Sequence, residues 1–136
     1  MPGHETWKID PEGAFFFYCA SEGASGVELL NFPHEAVGDM PLVCDCSGSL
    51  LTTPIDVSKY GVLVAEEQNI GGSGNAITIA RKDFIGNHQK ETPTMCNWKE
   101  FLDSPSRLLQ TPNCWSIYMT GLAAAHYNKV GGVKAI

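Results

Sequence analysis

The chain has 136 residues and a formal net charge of −6, with nine Lys and Arg against fifteen Asp and Glu. This length fits one domain with an ordinary core, and the acidic balance argues against a nucleic-acid-binding surface. No apolar run is long enough to cross a bilayer, so no membrane segment is expected. The amino terminus shows no secretory signal pattern.

Cysteine usage indicates a reducing compartment. The five cysteines are odd in number and irregularly spaced, which argues against a disulfide framework and favours the cytoplasm. Cys44 and Cys46 are expected on opposite sides of a strand. Neither they nor the four histidines show the spacing of zinc ligands, so no metal site is predicted. The cysteines are Cys19, Cys44, Cys46, Cys96 and Cys114.

Four apolar runs predict strands, at residues 14–19, 41–44, 62–65 and 76–80. The first run is apolar at successive positions, which is typical of a strand covered on both faces in a parallel sheet. A polar, glycine-rich turn joins the last two strands. This turn lacks the lysine of a phosphate-binding loop and the third glycine of a dinucleotide-binding pattern, so it is interpreted as a simple turn.

Helix signals are concentrated near the end of the chain. Residues 55–60 predict a short helix with Asp56 near its start, and residues 82–109 predict a loop with about one helical turn. Thr111 and Pro112 have the pattern of an N-cap followed by proline at the first helical position. Apolar residues then recur at helical spacing, which predicts a final helix over about residues 113–128.

Asp45 is the candidate functional residue that local pattern provides. It follows the strand at 41–44 and precedes a loop of small residues. Ligands of open α/β sheets bind at the carboxyl ends of strands, so a carboxylate at this position suits a binding site. An Asx turn or a helix cap explains the same pattern. Local sequence leaves both interpretations open.

Several sequence blocks, taken in order, resemble one family. They are residues 17–22 with 26–28, residues 43–47, residues 54–61, the Gln68-Asn69-Ile70-Gly71 segment, residues 81–86, and Thr111-Pro112-Asn113-Cys114-Trp115-Ser116-Ile117-Tyr118. Together they resemble phosphoserine aminotransferase, a class V aminotransferase that depends on pyridoxal phosphate. The resemblance runs from about residue 7 to residue 132.

The resemblance implies a fold, a reaction and a partner. The fold is α/β, a mostly parallel sheet with flanking helices. Residues 1–136 correspond to an incomplete large domain of a fold-type I aminotransferase, without its early strands or its small C-terminal domain. The family reaction transfers an amino group between glutamate and 3-phosphohydroxypyruvate in serine biosynthesis. The implied partner is a second copy in a homodimer, or a full-length homologue.

Three residues match cofactor-binding positions of the family. Asp45 matches the aspartate that pairs with the pyridine nitrogen, where a carboxylate keeps the nitrogen protonated and the ring electron-withdrawing. Gln68 matches a glutamine that contacts the cofactor phosphate. Thr111 matches a threonine that reaches the phosphate of the partner subunit. The resemblance thus implies pyridoxal phosphate as the cofactor.

The departures from the family pattern concern catalysis. In the family a lysine stands between the residues matched by Gln68 and Asn69, where it forms the Schiff base and transfers the proton. Here the two are adjacent, so no catalytic residue is predicted. The other departures are Gly23, Glu66, Glu67 and Gln110. The sequence therefore favours a catalytically inactive relative. The alternatives are a non-enzymatic module that docks on a full-length homologue, and a transaminase that is active only with a complementing chain.

Overall fold

A computed structural model describes residues 3–29, 31–66, 69–71, 74–106 and 108–136. Six strands and three α-helices lie within these ranges. The strands are β1 (Phe16–Cys19), β2 (Ser21–Glu22), β3 (Val27–Glu28), β4 (Leu42–Asp45), β5 (Val62–Glu66) and β6 (Ala76–Ala80). The helices are α1 (His34–Val37), α2 (Trp98–Asp103) and α3 (Cys114–Lys129).

The main sheet has four strands in the order β1-β4-β5-β6. β4 pairs in parallel with β1 and with β5, whereas β6 runs antiparallel to β5. The mostly parallel α/β sheet expected from the sequence is confirmed, and all four predicted strands form. β2 and β3 make a separate antiparallel pair beside the end of β1. This order brings the carboxyl ends of β1, β4 and β5 to one edge of the sheet.

The core lies on one face of the sheet, because alternate residues of each strand point to the same side. Its buried cluster consists of Cys44, Cys46, Leu50, Leu63, Ala65 and Ile70. Aromatic rings extend it: Phe32 stacks on Tyr18 with ring centroids 4.2 Å apart. The side chains of Tyr60 and Ile55 pack against the same cluster.

The expectation that Cys44 and Cys46 face opposite sides was wrong. Both are buried, at 2% and 1% exposure, in the same core cluster. The physical reason is the period of two along a strand, which returns residues i and i+2 to one face. Asp45, between them, is the residue directed to the other face.

The opposite face is only partly covered by the described residues. Phe15 and Phe17 are more than half exposed, and β1 alternates between half-buried and exposed positions. The prediction that this strand is covered on both faces is therefore wrong for the described part of the chain. The consecutive hydrophobic residues of β1 show that both faces of this strand are apolar. Only one of these faces is even half-buried among the described residues.

α3 begins one residue later than predicted and has a different cap. The Asn113 side chain accepts a hydrogen bond from the Ser116 amide at 3.2 Å, so Asn113 is the N-cap. The assignment of Thr111 as the cap was wrong, because Asn113 is the residue whose side-chain oxygen reaches the first turn. The predicted short helix at 55–60 is a single 3-10 turn, Val57–Lys59, with Asp56 as its cap.

Residues 82–109 contain more helix than the single turn predicted. Two 3-10 turns, Lys82–Phe84 and Thr94–Cys96, precede α2. The Asn97 side chain caps α2 by accepting from the Lys99 amide at 3.1 Å. An i,i+4 ion pair between Lys99 and Asp103 adds a small contribution on the exposed side. These elements are short, with three to six residues each, so they leave little apolar periodicity in the sequence.

The turn after β5 packs closely against α3 at Gly71, and this contact gives a testable prediction. Its φ is +99°, and a Cβ there would lie 2.7 Å from Ala123 Cβ and 3.0 Å from the Met119 carbonyl oxygen. Gly71→Ala is expected to lower the free energy of unfolding by about 1–3 kcal/mol in urea denaturation. Gly121→Ala in α3 is the control, because its Cβ meets nothing within 4 Å. That variant should gain up to about 1 kcal/mol. Equal effects of the two changes would contradict this packing.

Candidate functional site

Asp45 is the last residue of β4 and lies at the carboxyl edge of the sheet. It pairs with Cys19 on β1 and with Val64 on β5. Residues in register share a face, so these three side chains lie on the face opposite the core. Burial, and then the neighbouring carboxylates of Asp45 and Glu22, raise the pKa of Cys19. The Asp45 charge thus acts directly on the adjacent strand.

Ser47 holds the Asp45 carboxylate from one side. The Ser47 amide donates to Asp45 Oδ1 at 2.9 Å, and its hydroxyl donates to the same oxygen at 2.6 Å. This is the Asx turn that local sequence had offered as the alternative interpretation. Among the described residues no hydrogen bond uses Oδ2. The turn and a ligand-binding role are therefore compatible, because one oxygen serves the turn and the other remains available.

The turn is tied to the neighbouring elements. The Ser47 hydroxyl oxygen accepts from the Glu66 amide at 3.0 Å, which links the ends of β4 and β5. Asn69 donates from Nδ2 to the Gly48 carbonyl at 2.9 Å. The Tyr127 hydroxyl of α3 donates to the Asn69 carbonyl at 2.6 Å. Hydrogen bonds therefore connect the loop that follows Asp45 to the end of β5, to the turn at Asn69 and, through that turn, to α3.

The charges around Asp45 are negative. Val64 pairs with Asp45, so Glu66, two residues further along β5, is on the same face. Glu66 is exposed, and the ion pairs among the described residues include neither Glu66 nor Asp45. Two carboxylates that form no ion pair within the described part of the chain disfavour an anion such as a phosphate group at this edge.

Of the other two predicted cofactor-binding residues, only Thr111 lies within the described part of the chain. Thr111 is exposed and makes no hydrogen bond to any described residue. Gln68 lies outside the described residues, as does Glu67. Lys59 lies on the other face of the sheet, where it lines a cavity of about 350 Å³ together with Tyr18, Cys44 and Tyr60. No ion pair joins a lysine to Asp45 among the described residues.

Comparison with known proteins matches the chain to one group of enzymes. The phosphoserine aminotransferase of Drosophila melanogaster is 42% identical over 137 aligned residues, covering 100% of this chain and 37% of that protein. The phosphoserine aminotransferase of Pseudomonas fluorescens (strain SBW25) is 41% identical with the same coverage. This chain is a relative of the phosphoserine aminotransferases. It spans about 37% of the length of these curated relatives, and no protein-family model matches it.

Solved phosphoserine aminotransferases share the fold described above. The enzyme from Bacillus circulans subsp. alkalophilus superposes with a TM-score of 0.89 at 26% identity, covering 99% of this chain and 37% of that one. A pyridoxal-phosphate-bound enzyme from Trichomonas vaginalis gives 0.87 at 27% identity, covering 97% and 36%. The resemblance inferred from sequence is confirmed, as is the partial α/β domain.

Residues that sequence reasoning missed include Ser47 and Tyr127. The Ser47 hydroxyl donates a hydrogen bond to the Asp45 carboxylate. The Tyr127 hydroxyl donates one to the carbonyl of Asn69, which is 58 positions earlier in the chain. A serine two residues after an aspartate is itself a signal for an Asx turn. Nothing local could have indicated Tyr127, because its partner is a backbone carbonyl brought to it by the packing of α3.

Among the described residues, no helix could span a membrane and no group of three or more His, Cys, Asp or Glu could hold a metal ion.

Proposed function

We propose that this chain is a phosphoserine aminotransferase relative that does not catalyse transamination, because the lysine that would bind the cofactor covalently is deleted between Gln68 and Asn69. The observation that supports the proposal concerns the groups around the Asp45 carboxylate. Two hydrogen bonds from Ser47 hold the Asp45 carboxylate, and no described lysine forms an ion pair with it. The alignments span 137 positions against 136 residues here, so at least one position of each relative is unmatched, at a place that the alignment length does not specify.

The described residues fit pyridoxal phosphate only in part. Asp45 would hold the ring nitrogen through its available oxygen, and that cofactor supplies an electron-withdrawing ring to the chemistry of the relatives. Among the described residues no lysine is ion-paired with Asp45. Glu66 adds a negative charge at the same edge of the sheet, which would repel a phosphate group there. Gln68 and Thr111 are proposed to contact the cofactor phosphate, as the family resemblance implies. We therefore derive no catalytic step through the cofactor.

A thermal melt with and without cofactor tests whether a site survives. The melt of the chain is expected to be the same with and without excess pyridoxal phosphate. A ligand at about 100 times its Kd would instead stabilise the chain by about 2.7 kcal/mol, which corresponds to roughly 5–15 °C. Pyridoxine phosphate serves as a control ligand, because it lacks the aldehyde that reacts with surface lysines.

Asp45→Ala separates the possible outcomes of the melt. A rise in midpoint with both ligands that disappears in Asp45→Ala would show that the noncovalent site persists, and would reduce the proposal to loss of catalysis alone. A rise with pyridoxal phosphate alone that Asp45→Ala retains would indicate reaction with surface lysines. The far-UV spectrum of the variant verifies that the fold is intact.

A second candidate is a docking module, favoured by the exposed surface of α3. Trp115, Tyr118 and Leu122 follow one another at helical spacing and are 69%, 59% and 48% exposed. Such an apolar stripe suits a protein interface. The partner would be a second copy or a full-length homologue, as the resemblance implies. Capture of the full-length Drosophila relative by this chain, weakened by Trp115→Ser, would favour this candidate.

The third possibility, activity with a complementing chain, requires the partner to contribute the lysine. It would appear as transaminase activity in a mixture with a full-length partner that exceeds the activity of the same amount of partner alone.

The five free cysteines support a reducing environment. We accordingly place the protein in the cytoplasm.

A further inference from the structure

A cavity of about 350 Å³ lies against the core face of the sheet, away from Asp45. Its lining includes both buried thiols, Cys44 and Cys46, and the hydroxyl groups of Tyr18 and Tyr60. The proposed function uses none of these groups. They are nonetheless arranged together, because β1 and β4 present Tyr18 and Cys44 in register on this face.

The arrangement of these four groups follows from the strand and from two hydrogen bonds. The Tyr18 and Tyr60 hydroxyl oxygens are 3.1 Å apart. Cys46 Sγ donates to the Val64 carbonyl at 3.3 Å. Cys44, two residues before Cys46, lies on the same buried face. The two thiols are thus neighbours on one face, and both border the cavity.

We propose that Cys44 and Cys46 form a binding site for copper(I) at the base of this cavity. Thiolate sulfur is a soft ligand that selects copper(I). Zinc sites are almost always completed by four ligands, and the described residues offer no group of three or more His, Cys, Asp or Glu. Two neighbouring thiols at a cavity, in a set that includes no third His, Cys, Asp or Glu among the described residues, suit copper(I), which two sulfur ligands can bind.

Binding exchanges protons for the metal. Two S–H bonds break, two S–Cu bonds form, and two protons leave to solvent, with no change in oxidation state. The resulting centre carries one negative charge, from two thiolates and one Cu⁺. Lys59 lines the same cavity, whereas the neighbouring Asp45 carboxylate opposes ionisation of the Cys46 thiol in the metal-free chain.

The test uses a background chain with Cys19, Cys96 and Cys114 changed to Ser, because all three are exposed and would bind copper adventitiously. This chain is titrated without oxygen against the copper(I) complex of bicinchoninate. We expect one copper(I) per chain and two protons released into weak buffer. X-ray absorption should show two sulfur ligands. Addition of Cys44→Ser or Cys46→Ser to the background should abolish stoichiometric binding.

Two results would overturn the site. One is a folded background chain that binds no copper; binding by the native chain would then belong to the exposed cysteines. The other is a Cys44→Ser background variant that keeps its circular dichroism spectrum and still binds one equivalent. If either serine variant fails to fold, the sulfur count from X-ray absorption on the background chain decides. Because the site faces away from Asp45, excess pyridoxal phosphate should not change the copper affinity.

Discussion

The purified chain is expected to form no glutamate from phosphoserine and 2-oxoglutarate, even with excess pyridoxal phosphate. In the relatives, according to the resemblance, one lysine both anchors the cofactor and transfers the proton. Loss of a general base alone costs about 10²–10⁴-fold in rate, and loss of the covalent anchor adds to it. A coupled glutamate assay, with the Drosophila enzyme as the positive control, measures this directly.

Insertion variants make the assay decisive about the cause. One variant carries a lysine between Gln68 and Asn69, and its matched control carries an alanine at the same place. Turnover in the unmodified chain would refute the proposal of inactivity. Turnover in the lysine variant alone would identify the deletion as the single defect, and turnover in neither would implicate the other departures, including Glu66.

Leu63→Ala is expected to have the largest effect on stability. Leu63 is 2% exposed and is the second residue of β5, within the buried cluster. Truncation of a buried leucine costs about 2–5 kcal/mol, a large share of the roughly 5–15 kcal/mol that stabilises a domain. Urea unfolding followed by circular dichroism provides the measurement.

The control for Leu63→Ala makes the same chemical change on the surface. Leu122 on α3 is 48% exposed, so Leu122→Ala should change the free energy of unfolding by less than about 0.5 kcal/mol in the monomer. A loss comparable to that of Leu63→Ala would contradict the position of the core. A loss seen only at high protein concentration would instead indicate that α3 is buried in an assembly, which favours the docking candidate.

Much of the sheet could be predicted because its strands are locally marked. The runs that became β4, β5 and β6 are bounded by small, polar or proline residues, and their apolar residues have no helical period. The helix α3 was found from its spacing, although its cap was assigned two residues early. Thr111 and Asn113 are both good caps by type. The choice between them depends on which side chain reaches the first turn.

The candidate site was only partly predictable. Asp45 could be identified from its place after a strand, together with the resemblance. Ser47 could have been paired with it on local pattern. The link from Tyr127 to Asn69, and the approach of Gly71 to Ala123, join segments about 50 residues apart. Such contacts depend on how α3 packs against the turn, which no local rule contains.

The sequence by itself determined the family resemblance, the positions of the strands and the absence of a lysine between Gln68 and Asn69. These follow from residue order, which is local information. The tertiary structure decided which face of the sheet is buried, that Cys44 and Cys46 share it with Tyr18 and Tyr60, and that Asp45 points away from them. Those facts require strands distant in sequence to pair in one register, because side-chain neighbours across a sheet are set by pairing and not by order along the chain.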